Sequence, residues 1–463
     1  MYVNKPNIVL IVLDTVRYDI LSESISTGDM PYLAELKKDF NLFNNCIAPS
    51  PWTVPSHASL FTGLYPSFHN VHEDKGIDHF TVAMNKIKDF EGTTLTESLK
   101  NLGYSTYGFV ANPYLMPGTG FERGFDFLSF SDMFSDIFDA REEFKRTLEK
   151  KFPNSYEDII NIANNFTYKR LISLTKHPRN VMKLPFLAFK YSSYVRKMKE
   201  SGYPTLKAGK NLSNSVFNSH FNEPFFLFIN LMEAHDPYIL ANGELFSGEA
   251  RKMLKFLSGD SKFSKNLLHN FKKLYQDELR ILDRYIEKII KFLFRIGCYD
   301  DTVVVITSDH GQSFGEDHFY GHGIILSEPI LRVPLLVKFP DQKLFTQTNG
   351  YQSLVNVHKF LLHSGRGIVD PALLSSEYVF AESFGIQEDY KTIFKGNGDI
   401  IQKLSRFDVR KLAVYNDNHK FILKIENGLA TYENNNQHSE IINKIILEFL
   451  GEKYKIREMG CYG

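Results

Sequence analysis

The sequence predicts an α/β fold: a three-layer αβα sandwich with a mostly parallel central sheet, followed by a small C-terminal α+β subdomain. Three observations carry this. Four apolar runs have strand length and are rich in Val, Ile and Phe: NIVLIVLD (7–14), PFFLFINLM (224–232), TVVVITSD (302–309) and VPLLVKF (333–339). Runs that stay apolar instead of alternating mark strands covered on both faces, the habit of parallel sheets. Between them lie helical patterns, the clearest with Leu282, Tyr285, Ile286, Ile289, Ile290 and Leu293 on one face and Gly297 as its C-terminal cap. A helix feeding the strand at 302–308 is one αβ unit, and its repetition puts helices on both faces of the sheet.

The core domain is expected over 1–368 and the subdomain over 369–463. In the latter, 411–433 alternates and carries Asn-Asp, Asn-His and Asn-Gly turn signals, the pattern of an antiparallel meander; a helix is expected over 440–450. The region 131–222 lacks strand runs and reads as a helical insertion. Within it, 168–210 holds eleven Lys or Arg against the single acid Glu200, with Phe186, Phe189, Tyr191 and Tyr194 interleaved. Such a segment is a solvated helical face, a lid over an anionic substrate or a peripheral contact with an anionic membrane.

Composition narrows the function classes. The chain has 463 residues, 43% hydrophobic and 23% charged, with Lys+Arg 54 balancing Asp+Glu 54. That is a folded composition, and a zero net charge excludes a polycation that coats nucleic acid. No apolar run approaches the ~18 residues of a membrane span. Cys46, Cys298 and Cys461 have no CxxC spacing, against a disulfide scaffold or a cysteine-rich zinc site. The start, MYVNKPNIVLIVLDTVR, lacks a small-residue cleavage site and runs into Asp14, so a cytoplasmic location is expected.

In open α/β sheets ligands sit outside the carboxyl ends of the strands, and polar groups gather there. Asp14 ends the first strand; Glu233, His235 and Asp236 follow the second run; Asp309 and His310 follow the third. One acid in such a place usually caps a helix; three strand ends together suggest a site. The segment SPWTVPSHASLFTG (50–63) adds a nucleophile. Pro55 suits the first turn of a helix and Gly63 its end, which places Thr53 just before a helix N-terminus, where N–H groups and the macrodipole favour an anion.

These segments together resemble the sulfatase family of the alkaline phosphatase superfamily. NIVLIVLDTVRYD is similar to its first metal strand, FNNCIAPSPWTVPSHASLFTGLYP to its nucleophile motif, FFLFINLMEAHDPY to the strand delivering a substrate-binding histidine, and TVVVITSDHGQSFGEDHFYGHG with LRVPLLVKFP to the second metal strand and its loop. YVFAES and the meander are similar to the family's C-terminal subdomain. The resemblance implies an alkaline-phosphatase-like fold with Asp14, Asp309 and His310 as ligands of one divalent cation (Mn²⁺, Mg²⁺, Ca²⁺ or Zn²⁺), joined by Thr53 as nucleophile. It also implies His235 against the substrate and His322 near the leaving group. His57, Asn112 and His318 are further substrate-binding candidates. A second cation on Glu233 or Asp236 with His235 and His322 is the less favoured arrangement.

The departures from the family pattern matter. Sulfatases oxidise Cys or Ser to formylglycine; here the position is Thr53, and Cys46 lies too early. His57 stands for the motif arginine, Thr15 for the second acid of the first pair, and GFVANPY for GKWH. The expected function is therefore a metal-dependent hydrolase or transferase of phosphate or sulfate esters working through a covalent Thr53 intermediate. Its substrate would be a small molecule, glycan or lipid headgroup carrying an anionic ester. A sulfuric ester hydrolase without formylglycine and a non-catalytic binder of such anions are the alternatives.

Overall fold

A computed structural model describes residues 5–73, 86–131, 208–236, 265–342, 350–386, 407–416, 419–433, 440–451 and 455–457, with isolated positions between. The basic segment falls almost wholly outside the described residues; of the insertion, the described part is residue 131 and 208–222, including helix Gly209–Asn218.

The strands, in chain order, are β1 Asn7–Leu13, β2 Asn41–Ile47, β3 Ser105–Val110, β4 Phe127–Phe130, β5 Phe225–Leu231, β6 Thr302–Thr307, β7 Ser313–Phe314, β8 Tyr320–Gly321, β9 Arg332–Lys338, β10 Tyr351–Ser353, β11 Ser375–Ser376, β12 Val379–Ser383, β13 Arg410–Asn416, β14 His419–Glu426, β15 Leu429–Tyr432 and β16 Lys455–Arg457. Nine of them form one sheet in the order β11-β10-β2-β9-β6-β1-β5-β3-β4. The middle of that sheet, β6-β1-β5-β3-β4, is parallel.

Alternation along β1 shows why three layers form. Val9, Ile11 and Leu13 enter one core with Phe271, Tyr275 and Ile286 of helix Lys265–Arg295. Ile8, Leu10 and Val12 enter another with Val54, Leu60 and Phe61 of helix Thr53–Thr62 and Val357 and Phe360 of helix Leu354–Ser364. Burying both faces explains the unbroken apolar run, since each such side chain contributes roughly 1.5–3 kcal/mol.

One strand departs from expectation. VPLLVKF forms β9, which runs antiparallel to both β6 and β2. Burial on both faces fixes its composition, whereas direction depends on the connection, so a continuous apolar run cannot report it. The change of sheet lies after β11, which still pairs with β10; β12 opens the second sheet, β12-β13-β14-β15-β16. β13, β14 and β15 form the antiparallel meander. Helix Glu440–Leu450 packs Ile442, Ile446 and Leu450 on it.

The subdomain is tied to the segment leading into helix Thr53–Thr62. The Glu382 amide donates to the Pro49 carbonyl at 2.9 Å. The buried Glu382 carboxylate accepts from Ser67 N (2.9 Å), from the Ser67 hydroxyl and from Arg410 Nη2 (2.9 Å). Glu382→Ala removes a buried acceptor from a cationic partner and should cost about 3 kcal/mol, read from urea unfolding.

Candidate active site

Asp14 follows β1, Asp309 and His310 follow β6, and all three are fully buried. One ligand atom from each lies within 4.8 Å of the others, an arrangement that can hold a metal ion. Asp14 Oδ2 accepts from Asn112 Nδ2 at 2.7 Å. Asp309 Oδ1 accepts from the amides of Thr15 (3.2 Å) and His310 (2.9 Å). Asp14 Oδ1 and Asp309 Oδ2 are buried with no hydrogen-bond donor. Burial, and then the neighbouring Asp14 charge, push Asp309 well above the usual carboxylate range. Two buried carboxylates with a free oxygen each are costly alone and fit a divalent cation.

His310 completes the set because its tautomer is fixed. Nδ1–H donates to the Gly311 carbonyl at 3.0 Å, leaving the Nε2 lone pair toward Asp309 Oδ2 (3.5 Å) and Thr53 Oγ1 (3.3 Å). Burial keeps the ring neutral by pushing its pKa down. Gly311 is needed because a Cβ there would lie 2.1 Å from the Pro329 carbonyl oxygen.

Thr53 is the first residue of helix Thr53–Thr62, so the helix starts one position earlier than the sequence suggests; Trp52 takes the N-cap place without a side-chain cap. The first-turn N–H groups are thus not closed by a capping side chain and stand beside the Thr53 hydroxyl. Gly63 ends the helix at φ 72.

The remaining candidates separate. His322 lies over His310, ring centroids 4.5 Å apart, and His235 is 5.1 Å from His322. Their Nδ1–H groups donate to Gln312 Oε1 (2.7 Å) and to the Asp236 carbonyl (2.5 Å), which puts the lone pair of each ring on Nε2. His57 is fully buried: Nδ1–H donates to the Thr53 carbonyl at 2.9 Å, and the ring edges meet Phe121 and Phe228. Burial lowers its pKa to about 4, so its 3.6 Å approach to Asp309 Oδ2 is not an ion pair at neutral pH. Asn112 caps the turn Pro113–Leu115 through its Oδ1 and gives its amide to Asp14. His318 is exposed on the turn Glu316–His318, and among the described residues no hydrogen bond or ring contact joins it to the cluster. Glu233 accepts from Gly209 N at 2.9 Å and Asp236 from Tyr320 OH at 3.4 Å.

Several participants carry no motif signal. Asn230 Oδ1 accepts from Asn112 N at 3.0 Å, Gln312 aligns His322, and Tyr275 OH touches the backbone of Thr15 and Arg17. Gln312 adjoins the DHG motif and was findable; Asn230 and Tyr275 sit inside regular elements, where sequence offers only periodicity. Arg17 is spent on Asp19 and Glu316. Cys46 is buried in β2, where burial pushes its thiol far up.

The family model for sulfatases matches residues 6–364. This chain belongs to the sulfatase family. Within that family it is 23% identical over 401 residues to arylsulfatase K of Mus musculus, covering 81% of this chain and 63% of that protein. It is 20% identical to a multifunctional alkaline phosphatase superfamily protein of Trinickia caryophylli, covering 90% and 87%. The chain thus spans under two thirds of the arylsulfatase K length. The solved phosphonate monoester hydrolase of Agrobacterium radiobacter shares the fold at TM-score 0.57 and 15% identity, covering 90% of this chain and 87% of that one. Among the described residues of this family member, no helix is long and apolar enough to cross a membrane.

Because Asn112 holds Asp14 in place, Asn112→Ala should lower Mn²⁺ affinity about 10- to 100-fold, the usual cost of a lost outer partner. Isothermal titration calorimetry checks this.

Proposed function

We propose that this chain is an ester hydrolase, or a transferase to an alcohol, that attacks phosphorus directly with Thr53. The observation that carries the reading is the Thr53 hydroxyl at a helix N-terminus, 3.3 Å from His310 Nε2 and beside the unpaired oxygens of Asp14 and Asp309. Threonine is not a formylglycine precursor, and buried Cys46 offers no substitute. A divalent cation, when bound by Asp14, Asp309, His310 and Thr53, supplies Lewis-acid charge that favours the ionised hydroxyl and the transition state.

Thr53 Oγ1 forms the new bond to phosphorus as the bond to the leaving oxygen breaks, and a water or acceptor alcohol then displaces Thr53. With Nδ1–H committed to Gln312 Oε1 in His322 and to the Asp236 carbonyl in His235, Nε2 of each ring is the atom that takes a proton or, once protonated, returns it to the leaving oxygen. The N–H groups of Thr53 and Val54, at the start of helix Thr53–Thr62, are the donors for nonbridging oxygens in this reading; a comparable preorganised donor contributes roughly 3 kcal/mol.

Charge selects the ester. Asp14 and Asp309 offset a divalent cation, and the imidazoles of His57 and His310 are held neutral. Among the described residues the arginine that reaches the site's surroundings is Arg17, which donates to the Gln312 carbonyl and is balanced by Asp19 and Glu316. With the Thr53 hydroxyl ionised the centre carries about one negative charge, which suits a monoanion, meaning a phosphodiester or phosphonate monoester, over a dianionic phosphate monoester. Sulfate esters are monoanions too, which keeps direct sulfate transfer as the second reading. A lipid headgroup or glycan diester fits the first class, and the cytoplasm is the proposed location.

The test is turnover of nitrophenyl sulfate, nitrophenyl phosphate, a bis-nitrophenyl phosphate diester and a nitrophenyl phosphonate with Mn²⁺. Diester or phosphonate turnover exceeding that of the monoester by at least about tenfold in kcat/KM (roughly 1.4 kcal/mol) is expected. Turnover of the sulfate alone would overturn the reading.

A further inference from the structure

Thr15 is the most strained described position near the cluster. It is β-branched, fully buried and held at φ 60, a conformation that costs about 1–3 kcal/mol for such a residue. Strain of this size persists only where the surroundings over-determine it. Here the contacts are explicit. Thr15 N–H donates to Asp309 Oδ1 at 3.2 Å, and Val16 N–H donates to Ser308 Oγ at 2.9 Å. The hydroxyl of Tyr275, fully buried in helix Lys265–Arg295, donates to the Thr15 carbonyl at 2.9 Å and accepts from Arg17 N at 2.7 Å. One oxygen thus bridges both sides of the strained residue, using its donor and an acceptor site together.

The left-handed turn has a purpose that geometry identifies. It directs the Thr15 N–H onto one oxygen of Asp309, leaving Oδ2 for a cation, immediately after the chain has delivered Asp14. We propose that Tyr275 is a positioning residue for the cation site, clamping the Thr15 turn so that Asp14 and Asp309 converge. It touches neither substrate nor cation and acts through Thr15. The inference rests on the metal-centred reading of the site and is indifferent to which ester is cut.

The test is a double-mutant cycle on the full chain, with Mn²⁺ affinity measured calorimetrically after EDTA treatment. Tyr275→Phe keeps the ring and removes the clamp; the expected loss is about tenfold or more in Mn²⁺ affinity. Thr15→Gly removes the penalty at positive φ, so in that background Tyr275→Phe should cost less than about threefold, a coupling a merely packed tyrosine lacks. Equal losses in both backgrounds, or an affinity within about twofold of the parent in Tyr275→Phe, overturn the proposal. If Tyr275→Phe does not fold, recovery of folding in the double variant supports it, and failure in both backgrounds overturns it. A parent protein that binds no Mn²⁺ overturns it as well. Normal Mn²⁺ binding with no turnover of any ester would sink the functional reading and leave the clamp standing.

Discussion

Thr53→Ala should lower ester turnover by about five orders of magnitude while the protein remains folded, the scale seen when a covalent nucleophile is removed. The structure separates these effects. Trp52 is the N-cap of the helix, so no cap is lost. The side-chain hydrogen bond described for Thr53 is the one with His310 Nε2, so stability should change by no more than about 1 kcal/mol. Thr53→Ser keeps the hydroxyl and should retain activity within about a hundredfold. Steady-state kinetics alongside thermal melts check both. A Thr53→Ala variant that turns over the same ester at the parent rate would remove Thr53 as nucleophile and leave water as the attacking group.

Acid should unfold the protein early, with unfolding free energy falling by up to about 4 kcal/mol per pH unit below pH 6.5. Burial lowers His57 to about 4, His69 to about 3 and His358 to about 4. Between those values and 6.5 the unfolded chain binds protons that the native fold refuses. The stability is therefore complete above pH 6.5 and is lost as pH falls toward the folded values. All three rings brace one helix: His57 lies within it, His69 meets Ser59 Oγ at 3.0 Å, and His358 donates to the Leu60 carbonyl at 3.1 Å. In metal-free protein Asp309 opposes the trend, because a raised carboxyl contributes stability at low pH that is lost as pH rises through its folded value, while His310, which burial also pushes down, adds a fourth imidazole that offsets it. Urea titrations between pH 7 and 5 in EDTA measure the slope, and His69→Gln should remove about a third of it. A flat profile would mean that these imidazoles carry charge in the fold.

The motif-bearing residues were legible because their chemistry repeats at strand ends. Asp14, Asp309 and His310 converge, Thr53 opens its helix, and His235 and His322 share one space. Positions that depend on relative placement were not legible. The direction of β9 leaves no mark on a strand buried on both faces. His318 lies a few residues from His322, yet the turn at 316–318, with Asp317 and His318 at positive φ, leaves it in solvent. Asn112 reads as a substrate contact by its place in the motif, whereas its amide is committed to Asp14. Tyr275 reads as one more apolar-face residue, since nothing in helical periodicity distinguishes a hydroxyl with two backbone partners from a packed ring.

The contacts that build the centre join distant stretches: Thr53 to His310 across 257 positions and Thr15 to Asp309 across 294. A ribosome adding about 5–20 residues per second therefore exposes Asp14 and Thr53 for roughly 10–60 s before their partners emerge. Any fragment released before β6 holds Asp14 and Thr53 without Asp309 and His310, so the candidate cation site is assembled only once the later core strands have arrived.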